Sequence, residues 1–163
     1  MVFSIFVSFL ILLRLGELWL ARRNERWLLQ HGAVEYGMRH YRYIVMMHVL
    51  FFISLITEYV FTSTGYYNVP LLVLYFLLLA FKAWVVFSLG KFWNTKIFHI
   101  SGYPLVKKGP YRFMKHPNYV IVVAEILLIP LIFHLYITAI VFTLLNAWVL
   151  SVRITEENKV LQL

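Results

Sequence analysis

Apolar tracts of membrane-spanning length, divided by short basic segments, constrain this chain more than any other feature. A helix needs about 20 apolar residues to cross the hydrocarbon core of a bilayer. Segments 2–20, 43–62 and 69–89 each meet that length. The last tract, 119–151, is too long for one crossing, since about 33 residues at 1.5 Å each give roughly 50 Å. Pro130 and the Phe133-His134 pair mark a turn inside it. The expectation is an all-α integral membrane protein of five transmembrane helices, the last two forming a helical hairpin.

The basic residues test that count. Arg22, Arg23, Arg26, Arg39 and Arg42 lie between the first two spans. Lys91, Lys96, Lys107, Lys108, Arg112 and Lys115 lie between the third and fourth, and Arg153 and Lys159 follow the fifth. The Tyr66-Tyr67-Asn68 loop and the turn near His134 carry no Lys or Arg. Lys and Arg collect on the cytoplasmic side of membrane proteins. Five spans put every basic segment on that side, with the N-terminus outside and the C-terminus cytoplasmic in a multi-pass protein of the cell membrane. The first tract has no cationic region ahead of it and no small-residue cleavage pattern after it, so it reads as a retained anchor.

Composition narrows the function classes. The net charge of +8 sits in loops between apolar spans, where cytoplasmic retention accounts for it. No nucleic-acid partner is expected. The chain has no cysteine, which excludes disulfides and thiolate metal sites. No two histidines stand at a ligand spacing on one helix, and HExxH, a Gly-rich phosphate loop and a GxSxG elbow are all absent. At 163 residues, a single membrane domain over 1–163 is the expected organisation, and oligomeric state is not legible. Within it lie a polar connection, 91–118, and a hairpin, 119–157.

Five charges fall inside the apolar tracts: Arg14, Glu17, Glu58, Lys82 and Glu125. Charges at that depth are costly and face partners or a cavity. Arg14 and Glu17, three apart, can pair on one helix face. Glu125 lies six residues after Tyr119, about 9 Å along a helix, and a structural role is expected for it. As a polar pathway, Glu58, Lys82 and Glu125 are what a small transporter or interaction subunit would use.

Most of the remaining chemistry lies in two patches. One is Gly109-Pro110-Tyr111-Arg112-Phe113-Met114-Lys115-His116-Pro117-Asn118-Tyr119; the other is Arg153-Ile154-Thr155-Glu156-Glu157. Gly109-Pro110 marks a turn, and Pro117 interrupts the helical pattern before the fourth span. Arg153 and Glu157, four apart, share a helix face. Together these patches point to a small-molecule site at one face of a membrane.

The loop patch resembles the Gly-x-Tyr…Arg-His-Pro-x-Tyr signature of the isoprenylcysteine carboxyl methyltransferase family. The Arg153–Glu157 patch is similar to that family's C-terminal Arg/Glu-Glu element. The likeness covers roughly residue 89 to the end. Asn24-Glu25-Arg26-Trp27 and Leu89-Gly90-Lys91-Phe92-Trp93 most resemble its small bacterial members. Some of those are associated with O-methylation of long-chain polyketides such as alkylpyrones. The resemblance implies a membrane enzyme that uses S-adenosylmethionine in a cytoplasm-facing pocket. Carried across by motif, the cofactor-binding residues are Tyr103, Pro104, Leu105, Val106 and Tyr111, then His116, Pro117, Asn118, Tyr119 and Glu157. Arg153 would face a lipophilic acceptor entering from the bilayer, where membrane lipid surrounds it. For an enol or phenol acceptor, His116 or Glu156 would take the proton.

Two positions depart from the family pattern. Lys115 stands where an arginine is usual, losing the planar fork, and Ile121 stands where a glycine is usual. An NADPH-dependent sterol-type reductase is the alternative enzyme reading, with Lys107-Lys108 available to a 2′-phosphate.

Overall fold

A computed structural model describes residues 1–62, 65–104 and 106–161. It is built on five helices: α1 (Val2–Gln30), α2 (Met38–Thr62), α3 (Val69–Leu89), α4 (Pro117–Ile132) and α5 (Tyr136–Leu161). Short 3₁₀ turns cover Gly90–Phe92 and Gly109–Arg112. Four of the helices are long and apolar enough to cross a membrane. The exception is α4, whose 16 residues reach about 24 Å. That is short of a hydrocarbon core of roughly 30 Å.

Local chemistry sets the helix ends. Asn68 caps α3, its Oδ1 accepting the Leu71 amide at 3.0 Å, with proline in the first turn. Pro117 opens α4 at the position where a missing amide hydrogen costs nothing. The tract over 119–151 divides at the expected Phe133-His134 turn, with Pro130 still inside α4. Phe133 ends α4 and His134 takes a left-handed φ of 59° before α5 begins. On α2, Glu58 accepts the amides of Ile137 at 3.0 Å and Thr138 at 2.7 Å, filling the cap of α5. Glu58 is therefore a structural carboxylate at one end of the bundle.

The helices run alternately up and down. At one end the Asn68 amide bonds the Ile132 carbonyl at 2.7 Å, and Phe3 stacks on Tyr59 and meets Phe133 edge-on. The hydrophobic core fills this half, with Phe6, Leu10, Phe51, Leu55, Tyr75 and Ile129 among its buried members. All basic connections gather at the other end, and the cavities lie toward it.

Two features there exceed the sequence expectation. First, α1 does not stop near residue 20 but continues to Gln30. Its last turns hold the polar connection: Asn24 Nδ2 donates to the carbonyls of Gly90 at 3.1 Å and Trp93 at 2.7 Å, and Asn94 Nδ2 donates back to the Ala21 carbonyl at 2.9 Å. Second, a two-stranded antiparallel ribbon joins β1 (Val34–Tyr36) to β2 (Ile97–His99), pairing Glu35 with Phe98. Lys96 ties it to α1, reaching Glu25 at 2.7 Å and Glu35 at 3.2 Å. Burial opposes its charge, but the two carboxylates prevail and raise its pKa above the ordinary lysine range.

Candidate active site

The ribbon, the polar connection and the ends of α4 and α5 enclose a cavity of about 370 Å³. From the polar connection it is lined by Tyr103, Pro104, Val106 and Tyr111. His116, Asn118 and Tyr119 contribute from the start of α4, and Arg153 and Glu157 from α5. These are nine of the residues that the sequence motifs single out. Leu105 lies outside the described residues. Pro117 is buried at the head of α4, between the cavity-lining His116 and Asn118. Glu156 is not on this wall: it receives Lys159 Nζ at 3.0 Å and borders a small separate cleft with Tyr36 and Tyr41.

One hydrogen-bonded chain organises the site. Arg153 Nε donates to the Tyr119 hydroxyl at 2.8 Å, and that hydroxyl donates to Glu157 Oε2. Arg153 Nη2 donates to the Thr95 carbonyl at 2.6 Å, and the guanidinium lies 5.5 Å from the Tyr119 ring centre. The His116 ring stacks on Tyr119, its Nε2 donates to Asn158 Oδ1 at 2.9 Å, and its Nδ1 lies 3.8 Å from Glu157. Burial, and then the charge of Glu157, raise the pKa of the Tyr111 phenol, so it stays protonated at neutral pH. Tyr111 thus presents a neutral phenol to the cavity.

Gly109 explains why the loop motif begins with glycine. Its φ is +52°, and a Cβ there would collide with Ser88 Oγ and stand 3.1 Å from Trp84 Nε1. The loop therefore seats directly on α3. Ile121 is fully buried in α4 and packs in the bundle, away from the cavity wall. Lys115 lines the cavity.

A second cavity, about 340 Å³, lies deeper among α1, α2, α4 and α5. The surface it exposes is mostly apolar, and Ile11, Leu15, Leu18, Val45 and Val49 are exposed at its edge between α1 and α2. Trp93, Asn118, Tyr119 and Arg153 line both cavities. The polar and apolar chambers therefore meet at the Tyr119–Arg153 pair. Trp93 stands at this junction, buried, with an indole Nε1 that has no partner.

Sequence reasoning gave no site role to Trp93, Lys96, His48 or Asn146, though all four line a cavity. For Asn146 the available signal was an amide alone in an apolar stretch. Four of the intramembrane charges form one network. Arg14 reaches Glu17 at 2.7 Å and Glu125 at 2.8 Å, while Lys82 reaches Glu125 at 2.9 Å and also pairs with Glu17.

These features define a multi-pass membrane protein with a polar pocket at one end of its bundle and an apolar one between its helices. The model of the isoprenylcysteine carboxyl methyltransferase (ICMT) family matches residues 71–163, and the chain belongs to this family of membrane methyltransferases. It is similar to the uncharacterized protein YpbQ of Bacillus subtilis, at 44% identity over 98% of this chain and 96% of that protein. An uncharacterized protein of Haemophilus influenzae is 26% identical over 90% of this chain and 87% of its own length. No solved structure matches the chain.

Proposed function

We propose that this protein is an S-adenosylmethionine-dependent O-methyltransferase of the cell membrane, acting on a lipophilic acceptor. The observation that carries this reading is the junction of the two cavities at Trp93, Asn118, Tyr119 and Arg153. A polar cofactor and an apolar acceptor, each in its own chamber, would present their reacting groups to one another there.

The residues of the first cavity suit the cofactor. Its volume falls within the range of about 300–1,000 Å³ usual for small-molecule sites. Ring faces at Tyr119, Tyr103 and Trp93 and the Glu157 carboxylate favour a sulfonium cation. Trp93 Nε1 offers an unused donor. His116, Asn118 and Glu157 would hold the polar end, and Tyr103 to Val106 the apolar one. When bound, S-adenosylmethionine supplies an electrophilic methyl group.

The protein's part is chiefly positioning, which can supply many kcal/mol of a displacement barrier. Arg153 is fixed by Tyr119 and Thr95, so its charge is held at the junction where an acceptor oxygen would sit. A carboxylate acceptor, as in a prenylcysteine, needs no base. For an enol or phenol, as in an alkylpyrone, His116 would be the base, its ring stacked on Tyr119 at the junction. Its Nε2 is committed to Asn158, which leaves Nδ1 to take the proton. Glu156 is poorly placed for that role, because it borders another cleft. The acceptor's tail would enter between α1 and α2.

Five crossings are part of this proposal. α4 extends from the Arg153 end of the bundle to the Asn68 end despite its length. With five crossings, the bias of Lys and Arg toward the cytoplasmic side supports an N-terminus outside and a cavity mouth, with its basic rim, in the cytoplasm.

The test is thermal stabilisation of the purified full chain by S-adenosylmethionine, S-adenosylhomocysteine and NADPH, since a ligand that binds the fold stabilises it by mass action. Stabilisation by the two sulfur compounds, followed by methyl transfer into a lipid extract, is the expected result. Stabilisation by NADPH alone would replace this reading with a reductase whose Lys107 faces the same cavity.

A further inference from the structure

The apolar cavity is interrupted by a polar layer at one depth. Glu58 meets Thr138, and Ser54 Oγ lies 2.8 Å from Thr138 Oγ1, so α2 and α5 run antiparallel. Moving six residues along each helix from the Ser54–Thr138 contact brings His48 level with Leu144, about half a turn from Asn146. Asn146 lies seven residues before Arg153, about 10 Å deeper and on the same face of α5. Glu125 lies six residues beyond Tyr119, about 9 Å deeper. Arg14 and Lys82 are bonded to Glu125. All five helices thus place a polar side chain in one layer.

Within the layer, the charges answer one another. Two cations face two carboxylates, and the sum is zero. His48 Nδ1 donates to the Ile44 carbonyl at 2.8 Å, which leaves Nε2 as a lone-pair acceptor. Asn146 is 2% exposed, and its Nδ2 is buried with no hydrogen-bond partner. Both residues line the apolar cavity. A buried donor left unpaired costs about 1–3 kcal/mol. It therefore calls for an explanation that packing does not supply.

We propose that Asn146 and His48 form a second recognition point for the methyl acceptor, reading a neutral hydroxyl about 10 Å from the oxygen that is methylated. A hydroxyl accepts from Asn146 Nδ2 and donates to His48 Nε2, satisfying both at once. A second charge would upset the balanced ion network beside it. The acceptor is then an oxygenated long chain rather than a plain alkyl or isoprenoid one. This rests on the methyltransferase reading in one respect, that the distance is counted from the Tyr119–Arg153 junction.

The probes are a long-chain carboxylic acid and its hydroxy derivative, the hydroxyl about eight carbons from the carboxylate to match two helical turns. Binding to the full chain is read by thermal shift, with and without S-adenosylhomocysteine. Comparing the preference between wild type and variant cancels the probes' different partition into detergent. Wild type should favour the hydroxy acid by about tenfold, the value of one hydrogen bond to an otherwise unpaired group. Asn146→Leu should abolish that preference while binding S-adenosylhomocysteine as wild type does. Asn146→Ala serves if the leucine variant does not fold. Equal binding of the two acids, no binding of either, or a preference that survives both substitutions overturns the proposal. A failure of the methyltransferase reading would differ, as a loss of response to the sulfur cofactors with the preference intact.

Discussion

Tyr119 and Arg153, 34 residues apart in the chain, share one hydrogen bond at 2.8 Å where the polar and apolar cavities meet. The tyrosine passes the contact on to Glu157, so α4 and α5 present a single polar surface. In the methyltransferase reading, loss of any member of this chain would loosen the cofactor site before it loosened the fold.

Glu157→Ala and His116→Ala are accordingly expected to lower S-adenosylhomocysteine affinity at least tenfold, each removing a charge-assisted or aromatic contact. Thermal unfolding should stay close to wild type. Calorimetric titration reads the first and a melting curve the second. Wild-type affinity in both variants would remove these residues from the site.

Gly109→Ala should destabilise the loop. A left-handed φ costs a non-glycine residue about 1–2 kcal/mol, and the new Cβ also meets Ser88 on α3. The variant is expected to melt lower and to bind cofactor more weakly. Ser88→Gly in the same chain would return only the part due to collision.

Glu125→Ala should be the most damaging change in the spans. It leaves Lys82 and Arg14 facing a void where a 1%-exposed carboxylate stood. Breaking a buried pair from one side costs about 3–5 kcal/mol. The double variant Glu125→Leu with Lys82→Met should recover much of the lost melting temperature, because a neutral packed layer carries no unpaired charge.

Glu58→Ala should act on α5 alone. It removes both acceptors from the helix's first amides, and losing such a cap costs about 1–2 kcal/mol. Cofactor binding at the far end of the bundle should be unchanged. A loss of binding with an unchanged melt would contradict the structural role given to this carboxylate.

The absence of native cysteine makes the orientation testable. Tyr66→Cys and Lys108→Cys lie in connections at opposite ends of the bundle. In intact cells, an impermeant thiol reagent should label the first and not the second. Labelling of Lys108→Cys alone would invert the orientation, and equal labelling would undo it.

Much of this protein was legible in one dimension. Hydropathy and the placement of Lys and Arg marked the spans, because a bilayer imposes its thickness and its charge asymmetry on any chain that crosses it. Glycine and proline marked the loop, since Gly109 and Pro117 act through backbone geometry that is local to them. Most of the site residues named from the two motifs gather around one cavity; Glu156 borders another cleft while its neighbour Glu157 faces the cavity, and Pro117 is buried at the head of α4. The extension of α1 to Gln30 escaped notice because its last turns are polar, and the ribbon because three-residue strands carry too little pattern. The junction of the cavities and the layer of Arg14, His48, Lys82, Glu125 and Asn146 were decided only by tertiary structure. Sequence determines which side chains each helix carries. Which of them meet depends on how the helices rotate and slide against one another, and that is settled by packing across the whole bundle.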